Sequence, residues 1–210
     1  MSIQPALILL TALPAEAKPV RRAFGLIRNN QFEKLALYRN DDMLLVITGV
    51  GKLHAQSAME LLLNHSSVIR NSSPIHWINY GIAGHPTLEV GEALEITSVT
   101  EDPEGSCYYP TPVSYPIHLK KLAQSQLMTV ERPATEYTAP GCVDMEAATL
   151  FSNLTEYRPN DTFSCLKVIS DNRLSGISGI NGKQIEKWIA QLIPVLEAVN
   201  ASLRQPDSAA

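Results

Sequence analysis

Ala6-Leu7-Ile8-Leu9-Leu10-Thr11-Ala12-Leu13-Pro14-Ala15-Glu16-Ala17-Lys18-Pro19 carries, near the start of the chain, the most informative pattern of the sequence. Ala6 to Leu10 is a continuous apolar run without strict alternation, the pattern of a strand covered on both faces. Thr11 to Pro14 then turns the chain, and Pro14 or Pro19 suits an early helical position ahead of Val20 to Leu26. A buried strand, a tight turn and a short helix result.

Phe32 to Tyr38 and Met43 to Thr48 read as strands of a hairpin turned by Arg39-Asn40-Asp41-Asp42. Gly49-Val50-Gly51-Lys52 leads into a helix from about His54 to His65, with Ala55, Ala58, Met59 and Leu62 at helical spacing. Ile75 to Tyr80 is a strand followed by the turn Gly81-Ile82-Ala83-Gly84. Leu94 to Val99 is another, entered through Glu89-Val90-Gly91. Pro103, Gly105, Pro110, Pro112 and Pro116 make Thr100 to Pro116 a loop, either a lid beside a site or a plain excursion into solvent. Ile117 to Ala123 reads as a short helix, Leu127 to Val130 as a strand and Met145 to Leu154 as a helix. Cys165 to Ile169 is an apolar strand that stops at Ser170-Asp171. A last long helix, about Asn181 to Leu203, carries Ile185, Trp188, Ile189, Leu192, Leu196 and Val199 on one face.

Strands interleaved with helices place the chain in the α/β class, with helices on both faces of the sheet. Ligands of such sheets sit beyond the carboxyl ends of the strands, where Glu16, Gly49 to Lys52, Gly81 to Gly84 and Asp171 all fall. With 210 residues, 45% of them apolar and 18% charged, one domain over 1–204 is expected, with 205–210 as a disordered tail. A net charge of -4 gives no field that would gather a nucleic acid. The nearest basic cluster, Lys18, Arg21 and Arg22, is expected to solvate the outer face of the first helix. Three cysteines, Cys107, Cys142 and Cys165, make neither a paired disulfide framework nor a metal spacing, and point to a reducing, cytoplasmic compartment. The apolar run near the start is far below the roughly 20 residues that span a bilayer, so no membrane-spanning segment is expected.

Several side chains can carry chemistry. Glu16, just past a buried strand, can activate water if burial raises its pKa, or it can merely complement a helix dipole. Gly49-Val50-Gly51 and Gly81-Ile82-Ala83-Gly84 can bring backbone donors close to a ligand or simply turn the chain. In Asp144-Met145-Glu146, Glu146 can hold vicinal hydroxyls and Met145 can cover the apolar side of a sugar. The alternative is a capping Asp144, a core methionine and a surface Glu146. Asp171 can donate a proton to a leaving group or cap the next segment. Glu16 and Asp171 at two strand ends suggest a base and an acid on opposite sides of a glycosidic bond. His54, His65, His76, His85 and His118 have no metal spacing, and only His85 adjoins a candidate turn.

Taken in order, Ala12-Leu13-Pro14-Ala15-Glu16, Thr48-Gly49-Val50-Gly51-Lys52, Ile78-Asn79-Tyr80-Gly81-Ile82-Ala83-Gly84, Val90-Gly91-Glu92, Val143-Asp144-Met145-Glu146-Ala147-Ala148 and Ile169-Ser170-Asp171 resemble the purine nucleoside phosphorylase and nucleosidase superfamily. The resemblance is strongest to its methylthioadenosine/S-adenosylhomocysteine nucleosidase branch. It implies a three-layer αβα sandwich with a mixed, largely parallel central sheet, no metal, no cofactor and a homodimer in which a neighbouring subunit completes the pocket. The implied reaction is hydrolysis of the N-glycosidic bond of an adenine nucleoside or adenosyl compound, releasing adenine. Glu16 would then position and activate water. Asp171 would protonate the purine at N7, with Ser170 orienting it. Met145 and Glu146 would contact the ribose, and Gly49, Ile82, Ala83, Gly84 and Asp144 would complete the substrate site.

The chain also departs from the pattern. Asn79 stands where one phosphorylase branch has an arginine, which argues for water over inorganic phosphate as nucleophile. Ile82 stands where a serine is common, and His85 replaces a small residue. The region between Leu127 and Val143 is short, so Pro133, Ala134 and Tyr137 would supply a different wall for the purine. Phosphorolysis of a purine nucleoside and a catalytically inactive nucleoside-binding protein are the competing expectations.

Overall fold

The computed structural model describes residues 5–30, 35–64, 69, 74–101, 105–116, 118–134, 136–137 and 140–204. In chain order its elements are β1 (Leu7–Thr11), α1 (Pro14–Ala23), β2 (Ile27–Arg28), β3 (Ala36–Arg39), β4 (Met43–Ile47), α2 (Lys52–Asn64), β5 (His76–Gly84), β6 (Ala93–Glu101), β7 (Cys107–Tyr108), β8 (Ala123–Thr129), β9 (Cys142–Asp144), α3 (Ala147–Tyr157), β10 (Thr162–Asp171), α4 (Gly182–Ile189) and α5 (Ile193–Arg204). The expected ends at Phe32, His65, Ile117 and in the tail 205–210 lie outside the described residues.

β1 pairs in parallel with β4 on one side and β5 on the other, and β5 pairs in parallel with β10. The carboxyl ends of four neighbouring strands therefore share one edge of the sheet. β10 meets β6 antiparallel, β6, β8 and β9 run parallel to each other, and β9 returns to β5 through Gly84 and Val143. That circuit carries Asp144, at the end of β9, to the strand ends where Gly84 and Asp171 already lie. The β3–β4 hairpin is antiparallel, as its turn sequence leads one to expect.

The unbroken apolar runs follow from cover on both faces. Ile8, Leu10, Leu44, Val46 and Trp77 pack with α2 and α3 residues such as Met59, Leu150 and Phe151. Their strand neighbours Leu7, Leu9, Met43, Leu45 and Ile78 point the other way, against Val20 of α1 and Ile185, Ile189 and Leu196 of α4 and α5. Three layers, α/β/α, are the result.

Five expectations change. Gly81 to Gly84 continue β5 rather than turning, because β10 pairs along them up to Asp171 and the turn comes afterwards. The last helix breaks at a 3₁₀ turn, Ala190–Leu192, since Pro194 has no N–H for the Ala190 carbonyl; the apolar face continues through Leu192 and Leu196, both buried. No helix forms over 118–122: a turn closed by Leu119 N to Pro116 O, 2.9 Å, leads straight into β8. The proline-rich segment 105–116 contains β7 and folds onto the amino-terminal end of β10 through Thr111, away from the strand ends that hold Asp171. The basic cluster is not merely solvated: Lys18 Nζ lies 2.5 Å from Glu186 on α4, Arg22 joins the same carboxylate at 3.7 Å, and Arg21 stacks over Tyr38 at 3.7 Å.

α4 starts where the sequence places it. The Asn181 side chain accepts from the N–H groups of Lys183 and Gln184, and the Gln184 side chain accepts from the Asn181 N–H, a reciprocal cap. Asn181→Ala removes one half of that cap and is expected to cost about 1 kcal/mol, read as a fall in melting temperature of roughly 2–4 °C for a chain of this size.

Candidate active site

One cavity of about 170 Å³ opens at the shared strand ends. Glu16, Ile82, Ala83, Gly84, Asp144, Met145, Glu146, Ser170 and Asp171 all line it, as do Pro133 and Ala134. Gly49 does not. Its missing side chain faces His54, whose Cβ would lie 2.9 Å from an added Cβ, and Val50 and Gly51 reach the site in its place.

Glu16 sits on the first turn of α1 and is 2% exposed. One carboxylate oxygen, Oε2, accepts from Thr11 Oγ1 at 2.7 Å, Leu13 N at 2.8 Å and Ala12 N at 3.1 Å, while Oε1 accepts from Ile82 N at 2.8 Å. The strand-to-helix turn is thus wrapped around the carboxylate. Burial raises the Glu16 pKa; the donors at Ile82, Thr11 and Leu13 and the charge of Lys167 oppose that rise without cancelling it. A carboxylate so placed is a candidate base, and its approach to β5 depends on Gly81. A Cβ there would stand 2.7 Å from Glu16 Oε1.

Asp144, Met145 and Glu146 form the passage from β9 to α3. Asp144 Oδ2 accepts from Ala147 N at 3.0 Å, the capping role the sequence allows, and the same oxygen pairs with Lys167 Nζ at 2.9 Å. Its Oδ1 accepts from Thr129 Oγ1 at 2.7 Å, and Thr129 Oγ1 in turn accepts from Ala148 N at 2.9 Å. Lys167 is 2% exposed. Burial alone would push its pKa down, but the charge and hydrogen bond of Asp144, together with Cys165 and Glu146, outweigh burial and carry it upward, so the ammonium stays charged. Glu146, displaced toward the cavity by this framework, accepts from Gly51 N at 2.6 Å. Burial first, and the charge of Asp144 second, push its pKa up to about 7.

At the other end, Ser170 Oγ bonds to Asp171 Oδ1 and lies 3.2 Å from Ala83 O, and the Tyr137 hydroxyl donates to Asp171 Oδ2. Glu16 abuts Gly81 and Asp171 abuts Gly84. Three residue steps along the strand set the two contact points roughly 10 Å apart.

His85 is not part of the chemistry. Its Nδ1 accepts from Thr87 N at 3.1 Å and Leu88 N at 3.0 Å, and burial lowers its pKa, so the neutral ring fastens the chain leaving β5. Asn79 is buried, with Nδ2 donating to Leu10 O at 3.3 Å, and ties β5 to β1 rather than facing the cavity. Among the described residues no group of three or more His, Cys, Asp or Glu could hold a metal ion.

Thr11, Thr129 and Lys167 escape a motif-based reading. Thr11 and Thr129 look like ordinary strand residues. Lys167 carries a visible signal, a cation inside the apolar run Cys165-Leu166-Lys167-Val168-Ile169. Such a residue needs a buried partner.

No family model and no curated protein matches the chain. Solved structures do. The Helicobacter pylori 5'-methylthioadenosine/S-adenosylhomocysteine nucleosidase with butyl-thio-DADMe-Immucillin-A superposes with a TM-score of 0.76 at 13% identity, over 96% of this chain and 100% of that one. An Arabidopsis thaliana 5'-methylthioadenosine nucleosidase in apo form gives 0.72 at 17% identity, over 99% and 98%. A Chlamydia trachomatis MTAN gives 0.69 at 23% identity, over 93% and 99%. The chain therefore has the fold of the solved methylthioadenosine nucleosidases along almost its whole length.

Removing one partner of a buried ion pair leaves the other charge stranded. Lys167→Met is accordingly expected to destabilise the protein by about 3–5 kcal/mol, measured by chemical denaturation.

Proposed function

We propose that the chain hydrolyses the N-glycosidic bond of an adenine nucleoside or adenosyl-containing compound, releasing adenine. The observation that carries the reading is the meeting of Glu16, Glu146 and Asp171 around one cavity at the carboxyl ends of β1, β5 and β10. Their sequence separation makes that convergence a property of the fold.

In this reading a ribose lies against Met145, with its hydroxyls on Glu146. Glu16 takes a proton from a water on one side of the sugar, and Asp171, carrying a proton, gives it to N7 of the departing base on the other. The sugar carbon becomes oxocarbenium-like as the bond to the base breaks, and the carboxylates favour that positive charge. Glu16 and Asp171 meet β5 at different residues, Gly81 and Gly84, an arrangement suited to a water activated on one side of the sugar carbon and a proton donor to the base on the other. Inorganic phosphate fits less well. Ionised Glu16 and Glu146 would repel it, and the apolar Ile82 side chain offers it no hydroxyl. No cofactor enters this scheme.

The solved relatives in fold support the same choice, since those proteins are named as nucleosidases. A homodimer belongs to the proposal as well: Val50, 44% exposed, lies at the cavity mouth and Leu53, 84% exposed, follows it, an apolar rim suited to a second copy. Light scattering on the purified chain should give twice the monomer mass. A reducing, cytoplasmic setting suits Cys107, Cys142 and Cys165, all free thiols. Among the described residues no helix is long and apolar enough to cross a membrane.

The test is a product-resolved assay of methylthioadenosine and related adenosyl compounds with and without phosphate. Adenine and a free sugar are expected; a sugar 1-phosphate would replace hydrolysis with phosphorolysis, and no product from a folded protein that binds the nucleoside would leave a binding protein. Asp171→Asn and Glu16→Gln should each lower turnover on the order of 10²–10⁴-fold with the fold retained by circular dichroism.

The pH profile has a defined sign. Glu146 accepts from both ribose hydroxyls, one on each oxygen, only when ionised, and its pKa of about 7 lies above the ordinary carboxylate value of 4.5. In the free protein it therefore protonates as pH falls through 7, so kcat/KM should decline below about 7. A profile flat down to pH 5 would remove Glu146 from the ribose.

A further inference from the structure

Both carboxylate oxygens of Asp171 are engaged by the protein's own side chains. Ser170 holds Oδ1, and the Tyr137 hydroxyl occupies Oδ2. A hydroxyl that donates to Oδ2 takes one of that oxygen's lone pairs and fills the space in which it would meet a base. Tyr137 is 6% exposed, and burial together with the Asp171 carboxylate raises its phenol pKa, so it is a neutral donor at physiological pH rather than a proton source.

The contact is built into the fold at Gly84. A Cβ at that position would lie 2.7 Å from Tyr137 Cε1 and 2.8 Å from Asp171 Oδ2, so the absent side chain makes the slot in which ring edge and carboxylate meet. Tyr137 stands on the connection between β8 and β9, which also supplies Pro133 and Ala134 to the cavity wall. Arg173 Nη2, two residues past the acid, donates to Tyr137 O at 2.6 Å and ties the backbone of Tyr137 to the end of β10. The ring and the acid are thereby held at the same end of the cavity by independent means.

We propose that Tyr137 is a gate on the leaving-group subsite: its hydroxyl occupies Asp171 Oδ2 until a ring N–H of the purine base, the N7–H of adenine, displaces it as donor to that oxygen. The inference rests on the nucleosidase reading, because it takes the base of a nucleoside to be the displacing group. Each binding event then breaks one hydroxyl–carboxylate hydrogen bond, which weakens affinity for the base. The exchange is of hydrogen bonds only, and the phenol keeps its proton throughout.

Adenine is the probe, added to the full chain and to Tyr137→Phe, with calorimetry for affinity. Tyr137→Phe should bind adenine about tenfold more tightly, the scale of one charge-assisted hydrogen bond that no longer has to be broken. In wild type carrying ¹³C-labelled tyrosine, the ring resonance that disappears in Tyr137→Phe should shift when adenine saturates the site. Unchanged or weaker adenine binding by Tyr137→Phe, or an unmoved Tyr137 resonance in wild type with adenine bound, overturns the gate. Adenine release from methylthioadenosine is followed alongside: turnover with an unmoved resonance sinks the gate and leaves the nucleosidase reading standing, whereas neither turnover nor adenine binding sinks both.

Discussion

The buried pair of Lys167 and Asp144 is the interaction on which the site depends. It joins β10 to β9 across the inside of the strand circuit, at 2.9 Å and with both side chains nearly inaccessible. Such a pair adds little net stability over an apolar filling, because desolvation of both charges offsets their attraction. What it supplies is position. Asp144 also takes the Ala147 N–H and the Thr129 hydroxyl, so the turn from β9 into α3 has one arrangement that satisfies every buried group. Met145 and Glu146 ride on that turn, and the lysine charge partly offsets the carboxylates that gather beside it.

A second constraint comes from β5. Two of its residues lack side chains where the acids need space: Gly81 under Glu16 and Gly84 under Asp171 and Tyr137. The strand is therefore a spacer as well as a ladder. Its pairing with β1 and β10 fixes the distance and direction between the two acids, and the backbone N–H of Ile82 holds one of them directly. Burial raises both Glu16 and Glu146. Carboxylates so shifted are suited to proton and hydroxyl chemistry near neutral pH, whereas exposed surface acids are not.

Much of this was legible in the residues. Continuous apolar runs such as Ala6 to Leu10 and Met43 to Thr48 require cover on both faces, which leads directly to an α/β sandwich, and the polar ends of those runs mark where a ligand would sit. The acids of the site fall in those ends. Gly81 to Gly84 was harder: glycines signal either a turn or a close approach, and only the pairing with β10 decides for strand. β9 spans three residues, too few for any periodicity to reveal. The break at Pro194 followed from proline chemistry, yet the apolar face ran on through it and masked it.

Local sequence determined the strand-and-helix order, the buried character of the sheet, the cap at Asn181 and the acidic residues available for chemistry, because each depends on neighbours a few positions apart. Which distant groups meet is set by long-range packing. Thr11 and Ile82 converge on Glu16, Lys167 finds Asp144, and Tyr137 reaches Asp171. The last three partnerships span from 23 to 66 residues. They arise from strand order and the closing of β9 onto β5, geometry that no spacing along the chain encodes.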